Sequence, residues 1–436
     1  MWCDGAANVK LFMGDHFIIR GGYPLRGEIV IGGAKNSALK LLAAGLLTSE
    51  QLVLSNVPRI DDITTMIALL RYLGFNVADV SGDGSVLSVG GEITNTEAPY
   101  DIVSKMRASV LVLGPLLARY HKARVSLPGG CAIGTRPITL HLKGLEALGG
   151  NITLENGYIC ASTTRRLKGG NVVFPLVSVG ATENVMMAAT LAEGRTTIVN
   201  AACEPEIVDL ANCLNKMGAK ISGAGEKTII IDGVEALHGT HHQIMSDRIE
   251  CGTYACAAAI TRGDLRLING NIDHLGAVVR TLRECGIDVS QTDNVMHVQC
   301  QKTLRSTKIV TEPYPGFPTD MQAQFMALLS VVEGTSEITE TVFENRFMHV
   351  PELIRLGAHI DVQGSLATVH GVRHLTGAPV RATDLRASFS LILAGLVARG
   401  ETVLDNVYHL DRGYEAVERK LSACGAKIER VQKNKI

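Results

Sequence analysis

The sequence predicts an α/β protein built from six repeated units. Three observations carry this. Short aliphatic strands recur along the chain, each ending in a polar turn. A helical stretch follows each turn. Each of these helical stretches stops at a glycine. The stop glycines are Gly74, Gly149, Gly218, Gly286, Gly357 and Gly425, at intervals of 68 to 75 residues. Each suits the left-handed position just past a helix C-terminus.

The copies follow in order. Leu52-Val53-Leu54-Ser55-Asn56 leads to Leu73-Gly74, and Val125-Ser126-Leu127-Pro128 to Leu148-Gly149. Thr197-Ile198-Val199-Asn200 leads to Met217-Gly218, and Leu265-Arg266-Leu267-Ile268-Asn269 to Cys285-Gly286. Glu337-Ile338-Thr339-Glu340 leads to Leu356-Gly357, and Thr402-Val403-Leu404-Asp405-Asn406 to Cys424-Gly425. Turn to glycine takes 17 to 19 residues in five copies and 21 in the second. The excess lies in one loop, and such insertions usually serve function. A further helix precedes each strand, over 34–47, 107–120, 181–192, 249–261, 320–332 and 386–399. These stretches are rich in small and aliphatic residues and poor in internal charge, which predicts burial.

Six units of this length divide into two domains of three, with the midpoint near 239–242. The opening strands within 16–31 could complete either half. A chain of 436 residues, 46% apolar but only 4% aromatic, predicts aliphatic cores. A net charge of -1 without a long basic run argues against nucleic acid or an anionic membrane as partner. The longest apolar run, 110–118, is too short to insert into a bilayer. Residues 1–13 carry Asp4 and lack the apolar centre of a secretory signal. Residues 1–14 show no repeat pattern, which makes Met13 a candidate start. Ten irregularly spaced cysteines without a CxxC do not form a disulfide frame or a zinc site. A cytoplasmic setting is expected, and the oligomeric state is left open.

The inserted loop is Leu127-Pro128-Gly129-Gly130-Cys131-Ala132-Ile133-Gly134-Thr135-Arg136-Pro137. Its glycines and prolines suit neither helix nor strand, so a mobile loop with a reachable thiol is expected. Arg136 favours the Cys131 thiolate. Polar groups also gather at the starts of the buried helices, where unpaired N–H groups favour anions. Lys35 and Asn36 open the first and Arg107 the second. Ser178-Val179-Gly180 opens the third. Asp320 reads as an N-cap of the fifth, and Asp384 and Arg386 open the sixth. The outer helices add Arg346 and Arg412. Cations at equivalent repeat positions suggest a cleft between the halves for phosphate and carboxylate groups.

These motifs resemble those of the UDP-N-acetylglucosamine enolpyruvyl transferases (1-carboxyvinyltransferases). The likeness runs over 17–431. Its carriers include Gly33-Ala34-Lys35-Asn36, Met106-Arg107-Ala108-Ser109, the cysteine loop and Ser178-Val179-Gly180-Ala181-Thr182-Glu183-Asn184. Glu204-Pro205-Glu206-Ile207-Val208-Asp209, Phe317-Pro318-Thr319-Asp320-Met321-Gln322 and Asp411-Arg412-Gly413-Tyr414-Glu415 continue it.

The resemblance implies two inverse α/β barrel domains, each of three helix-strand-helix-strand repeats around buried helices. It places the first strands with the second domain, giving 35–244 and 1–34 plus 245–436. It implies transfer of the enolpyruvyl group of phosphoenolpyruvate to the 3′-hydroxyl of UDP-N-acetylglucosamine, without metal or organic cofactor. Cys131 is then the proton-donating thiol, and the target of the epoxide antibiotic fosfomycin. Asp320 accepts or orients the sugar hydroxyl proton. Lys35, Arg136 and Arg412 bind phosphoenolpyruvate beside Asn36. Arg107, Arg136, Pro137, Ile138, Thr139 and Leu140 fall at the UDP-sugar site. So do Leu176, Ser178, Val179, Gly180, Asp320 and Val342. Arg346, Asp384 and Arg386 are supporting charges. Thr139 stands where relatives often carry an aspartate, and Leu176 where they often carry a lysine. The competing readings are a shikimate-type acceptor, a non-catalytic UDP-sugar-binding paralogue, and a nucleic-acid-end enzyme. The cysteine loop opposes the first, the intact set of Cys131, Asp320, Lys35, Arg136 and Arg412 the second, and the neutral charge the third.

Overall fold

The computed structural model describes residues 14–128, 133–134 and 137–432. The chain divides into two compact units: residues 32–247 with 313–315, and residues 14–31, 248–312 and 316–432. Each holds three four-stranded sheets of one topology. An edge strand runs parallel to its neighbour, and the two remaining strands pair antiparallel beside it, as a hairpin in five of the six sheets of the described residues. In the first unit Asn171–Val173 pairs in parallel with Arg195–Val199, which runs antiparallel to Thr228–Asp232, itself paired with Lys220–Ser222.

The repeats close by borrowing strands. The sheet around Leu52–Ser55 takes its parallel edge from Thr240–Gln243, at the far end of the same unit. In the second unit Arg26–Val30 pairs in parallel with Asp264–Ile268. His16–Arg20 inserts between Glu401–Asp405 and Lys427–Val431. The opening strands thus complete sheets of the second unit. Asp15 is fixed there too, 3.0 Å from Arg430.

Strand alternation explains why the sheets face inward on one side. Leu52 and Leu54, Leu265 and Leu267, and Ile229 and Ile231 are fully buried, while their neighbours are partly or largely exposed. Full burial of one such side chain contributes about 1.5–3 kcal/mol. The helices they cover are Lys35–Ala44, Leu113–Tyr120 and Val179–Ala189 in the first unit. In the second they are Arg248–Ile260, Gln322–Leu329 and Leu385–Gly395. Each unit has its own aliphatic core.

All six stop glycines have positive φ, between 90° and 101°. The strand-ending Asn56, Asn200, Asn269 and Asn406 are left-handed as well, with φ of 58° to 63°. Asparagine tolerates that conformation better than other side chains bearing a Cβ.

The inner helices are buried, as expected, and the few charges they carry are paired. Lys40 and Glu183 form an ion pair in which neither side chain is more than 5% exposed. Glu250 is buried and paired with Lys420 at 2.6 Å. Three helices packed together leave no solvent face, so polar residues must find partners inside. Between Leu113–Tyr120 and Val179–Ala189, Asn184 does this for the backbone. Its Oδ1 accepts from Gly114 N at 2.6 Å and its Nδ2 donates to Val110 O at 3.0 Å. Pro115 breaks regular helix pairing there, and the preceding turn, Arg107–Val112, is a 3-10 helix.

Candidate active site

In the first unit the predicted residues gather at helix starts. Lys35 is the first residue of its helix. Its Nζ lies 2.7 Å from Asp62, with 8% and 5% of the two side chains exposed. Its backbone N donates to Asp247 Oδ2 at 3.2 Å. The ammonium is thus held between the polar start of one helix and the acidic first turn of Asp61–Tyr72. Asn36 is exposed beside it.

Arg107 is half-buried and opens the 3-10 turn. Ser178 caps Val179–Ala189 through a bond from Ala181 N. A Cβ on Gly180 would come within 2.9 Å of the His141 ring, so this helix start packs against Thr139–Ala147. Ser178, Val179 and Gly180 therefore neighbour the turn carrying Pro137, Ile138, Thr139 and Leu140. Leu176 is 72% exposed. Cys131 and Arg136 lie outside the described residues.

In the second unit Asp320 is the centre. It does not act as the helix N-cap expected of it: Pro318 occupies that position, with no side-chain cap. Its carboxylate instead meets Arg346 at 2.8 Å and Arg386 at 3.4 Å. Burial would raise its pKa, but Arg346 and Arg386, aided by Arg248, outweigh this and hold the carboxyl well below the usual carboxylate range. Arg346 is buried, its side chain 5% exposed, and it is held against the Asp320 carboxylate.

Asp384 is the cap at the sixth helix, accepting from Arg386 N and Ala387 N. Glu340 ties Val342 to Asp320: its carboxylate accepts from Val342 N at 2.9 Å and from the Thr319 hydroxyl at 2.8 Å. Arg412 follows the short helix Tyr408–Asp411. A Cβ on the next residue, Gly413, would come within 2.4 Å of Leu385, which brings Arg412 beside the start of the helix that carries Arg386. His349 is fully buried, and burial pushes its imidazole down to about 4.

Asp62, Asp247, Arg248, Glu340 and His349 were not singled out from the sequence as site residues. A signal existed for two of them. Ser246-Asp247-Arg248 echoes Thr383-Asp384-Leu385-Arg386, without the intervening leucine, and Thr319-Asp320 at the same repeat position. Each unit thus presents a cation set against a carboxylate at an inner-helix start, an arrangement suited to phosphate and carboxylate ligands.

Comparison with known proteins bears on which ligands. The family profile of EPSP synthase (3-phosphoshikimate 1-carboxyvinyltransferase) matches residues 19–421. A UDP-N-acetylglucosamine 1-carboxyvinyltransferase of Gluconacetobacter diazotrophicus is 70% identical, over 96% of this chain and 100% of its own. Its counterpart in Gluconobacter oxydans is 67% identical, over 96% and 99%.

The chain belongs to the UDP-N-acetylglucosamine 1-carboxyvinyltransferase family.

Its fold is that of the enolpyruvyl transferases: two inverse α/β barrels, helices inside and sheets outside. The crystal structure of the enolpyruvyl transferase NikO from Streptomyces tendae superposes with a TM-score of 0.87 at 26% identity, covering 96% of this chain and 99% of that one. EPSP synthase from Acinetobacter baumannii shares the fold, with a TM-score of 0.75 at 18% identity, covering 96% and 100%. No helix among the described residues is long and apolar enough to cross a membrane.

Proposed function

We infer that this chain transfers the enolpyruvyl group of phosphoenolpyruvate to the 3′-hydroxyl of UDP-N-acetylglucosamine, releasing phosphate. The product opens peptidoglycan precursor synthesis. The observation that carries this is near-full-length identity of 70% to a relative named for that transfer. A shikimate-type acceptor is disfavoured, because the EPSP synthase structure is only 18% identical.

The chemistry is addition followed by elimination. The methylene carbon of phosphoenolpyruvate gains a proton, and the sugar oxygen bonds to the adjacent carbon. The resulting ketal then loses phosphate. The proton released by the sugar hydroxyl leaves with the phosphate as hydrogen phosphate, and the methyl carbon returns the proton that the thiol supplied. Cys131 supplies the first proton. Lys35, Arg136 and Arg412 bind the phosphate and carboxylate, with Asn36 alongside. Such pre-placed cations stabilise charge that develops as phosphate departs. Asp320 receives the sugar hydroxyl. Its depressed pKa makes it a weak base and favours orientation of that hydroxyl. Arg346, Arg386 and Asp384 fix Asp320 and the helix start. The UDP-sugar contacts fall to Arg107, Pro137–Leu140, Leu176, Ser178–Gly180 and Val342. The test is phosphate release from phosphoenolpyruvate with each acceptor: UDP-N-acetylglucosamine should support it and 3-phosphoshikimate should not.

Two predictions arise here. Leu176→Lys adds a cation at an exposed position, worth about 0.5–1 kcal/mol. It should lower KM for UDP-N-acetylglucosamine a few-fold at unchanged kcat. An unchanged or higher KM would place the diphosphate elsewhere. The second concerns the thiols. Burial pushes Cys213 and Cys285 up to about 12 and Cys256 well above the ordinary thiol value. Cys203, Cys300 and Cys424 are raised as well, again mainly by burial. Thiolates react, and these sites hold little. Fosfomycin should therefore label Cys131 and none of these six, read by peptide mass. Labelling at another cysteine would remove Cys131 from the reaction.

A further inference from the structure

The second unit carries a cluster that the transfer reaction does not use. His359 and Asp361 lie two residues apart on the strand His359–Gln363, on its outward face. His370 ends the neighbouring strand Leu366–His370 and pairs directly with His359 across the ladder. The two imidazole rings are 4.5 Å apart between centroids. His370 Nε2 lies 3.3 Å from Asp361 Oδ2, and His359 Nε2 lies 3.8 Å from it. One ligand atom from each residue falls within 4.8 Å of the others.

We propose that His359, Asp361 and His370 form a binding site for a divalent transition-metal ion of the zinc class, separate from the catalytic residues. The donor set, two imidazoles and a carboxylate, suits Zn²⁺ and its neighbours in the first-row series. Two ligands bound at about 2 Å in tetrahedral geometry stand about 3.3 Å apart. The His370–Asp361 separation already has that value. The His359 side chain is 65% exposed, so it can rotate inward without disturbing packing. The strand register supplies the rest of the arrangement, since cross-strand partners on one face are fixed neighbours.

A supporting contact orients one ligand. The Thr335 hydroxyl lies 3.3 Å from His370 Nδ1. With Nδ1–H donating to that oxygen, the Nε2 lone pair faces Asp361 and is available to a metal. Ligating histidines are commonly held through their second nitrogen in this way. A fourth position is left for water.

The test is a calorimetric titration of the full chain with Zn²⁺ alone. One equivalent should bind, and His359→Ala and His370→Ala should each weaken it by on the order of 10-fold or more, the least that loss of even a supporting contact costs. Asp361→Asn, which keeps both imidazoles, should weaken it less. His297→Ala should leave it unchanged, because His297 pairs with Asp264 at 2.6 Å and lies outside the cluster. Circular dichroism checks that each variant is folded. Co²⁺ then separates imidazole from thiol binding, since a thiolate ligand adds an intense near-ultraviolet charge-transfer band. The histidine-dependent equivalent should lack that band. Absence of binding, binding that survives both histidine variants, or a thiolate band on this equivalent would overturn the proposal.

Discussion

Asp320→Asn is expected to lower kcat by about 10²-fold, the cost of misplacing a reacting group that the carboxylate orients. The amide keeps the shape and removes the charge. Because Asp320 is not a helix cap, the loss cannot be traced to a frayed helix. It does sit against Arg346 and Arg386, whose side chains are 5% and 4% exposed. Removing its charge leaves two buried guanidinium groups without their carboxylate, so the urea midpoint should fall as well.

The pH dependence has a defined sign. The folded carboxyl lies below its ordinary value, so its contribution to stability is present above about pH 4 and is lost as pH falls toward the folded pKa. Wild type and variant should therefore differ at neutral pH and converge in acid. Unchanged kcat with a lowered midpoint would make Asp320 a holder of arginines and nothing more.

Lys40→Met should cost about 3–5 kcal/mol of stability, because it strands Glu183 inside the first unit. Burial pushes Glu183 up to about 7 even with Lys40 opposing that rise. A raised carboxyl pKa contributes stability that is complete below the unfolded value, near 4.5, and lost as pH rises through about 7. Without Lys40 the carboxyl is driven higher still. The variant should therefore lose more at pH 7.5 than at pH 5.5. Lys40→Met with Glu183→Leu should recover most of the loss, since an apolar pair of similar volume replaces the ions. Urea unfolding at both pH values reads all three outcomes. Equal loss at the two pH values would show that Glu183 is not the stranded partner.

The parts of this fold set by local conformation were legible in the sequence. Each stop glycine could be placed because a left-handed residue after a helix has few alternatives. The aliphatic alternation of Leu52–Ser55 or Thr228–Asp232 likewise marks one face of a strand. Partnerships across long separations were not legible. Asp247, which accepts from Lys35 N, lies 212 residues away, and nothing local to Lys35 points to it. Asp320 was read as a cap because a Thr-Asp pair before an apolar run is an ordinary helix start. The two arginines that claim it come from later in the chain. The burial of Arg346 was likewise not legible. It follows from tertiary packing, which a stretch such as Asn345-Arg346-Phe347 does not reveal.

The central claim is that phosphate leaves with the oxygen that joined it to the enol carbon. Phosphoenolpyruvate labelled with ¹⁸O at that bridging position tests this directly, with UDP-N-acetylglucosamine as acceptor. Mass spectrometry should find the label in inorganic phosphate, together with an enolpyruvyl ether of the sugar nucleotide. Unlabelled phosphate with labelled pyruvate would mean P–O cleavage, and phosphate release independent of the sugar nucleotide would contradict the transfer itself.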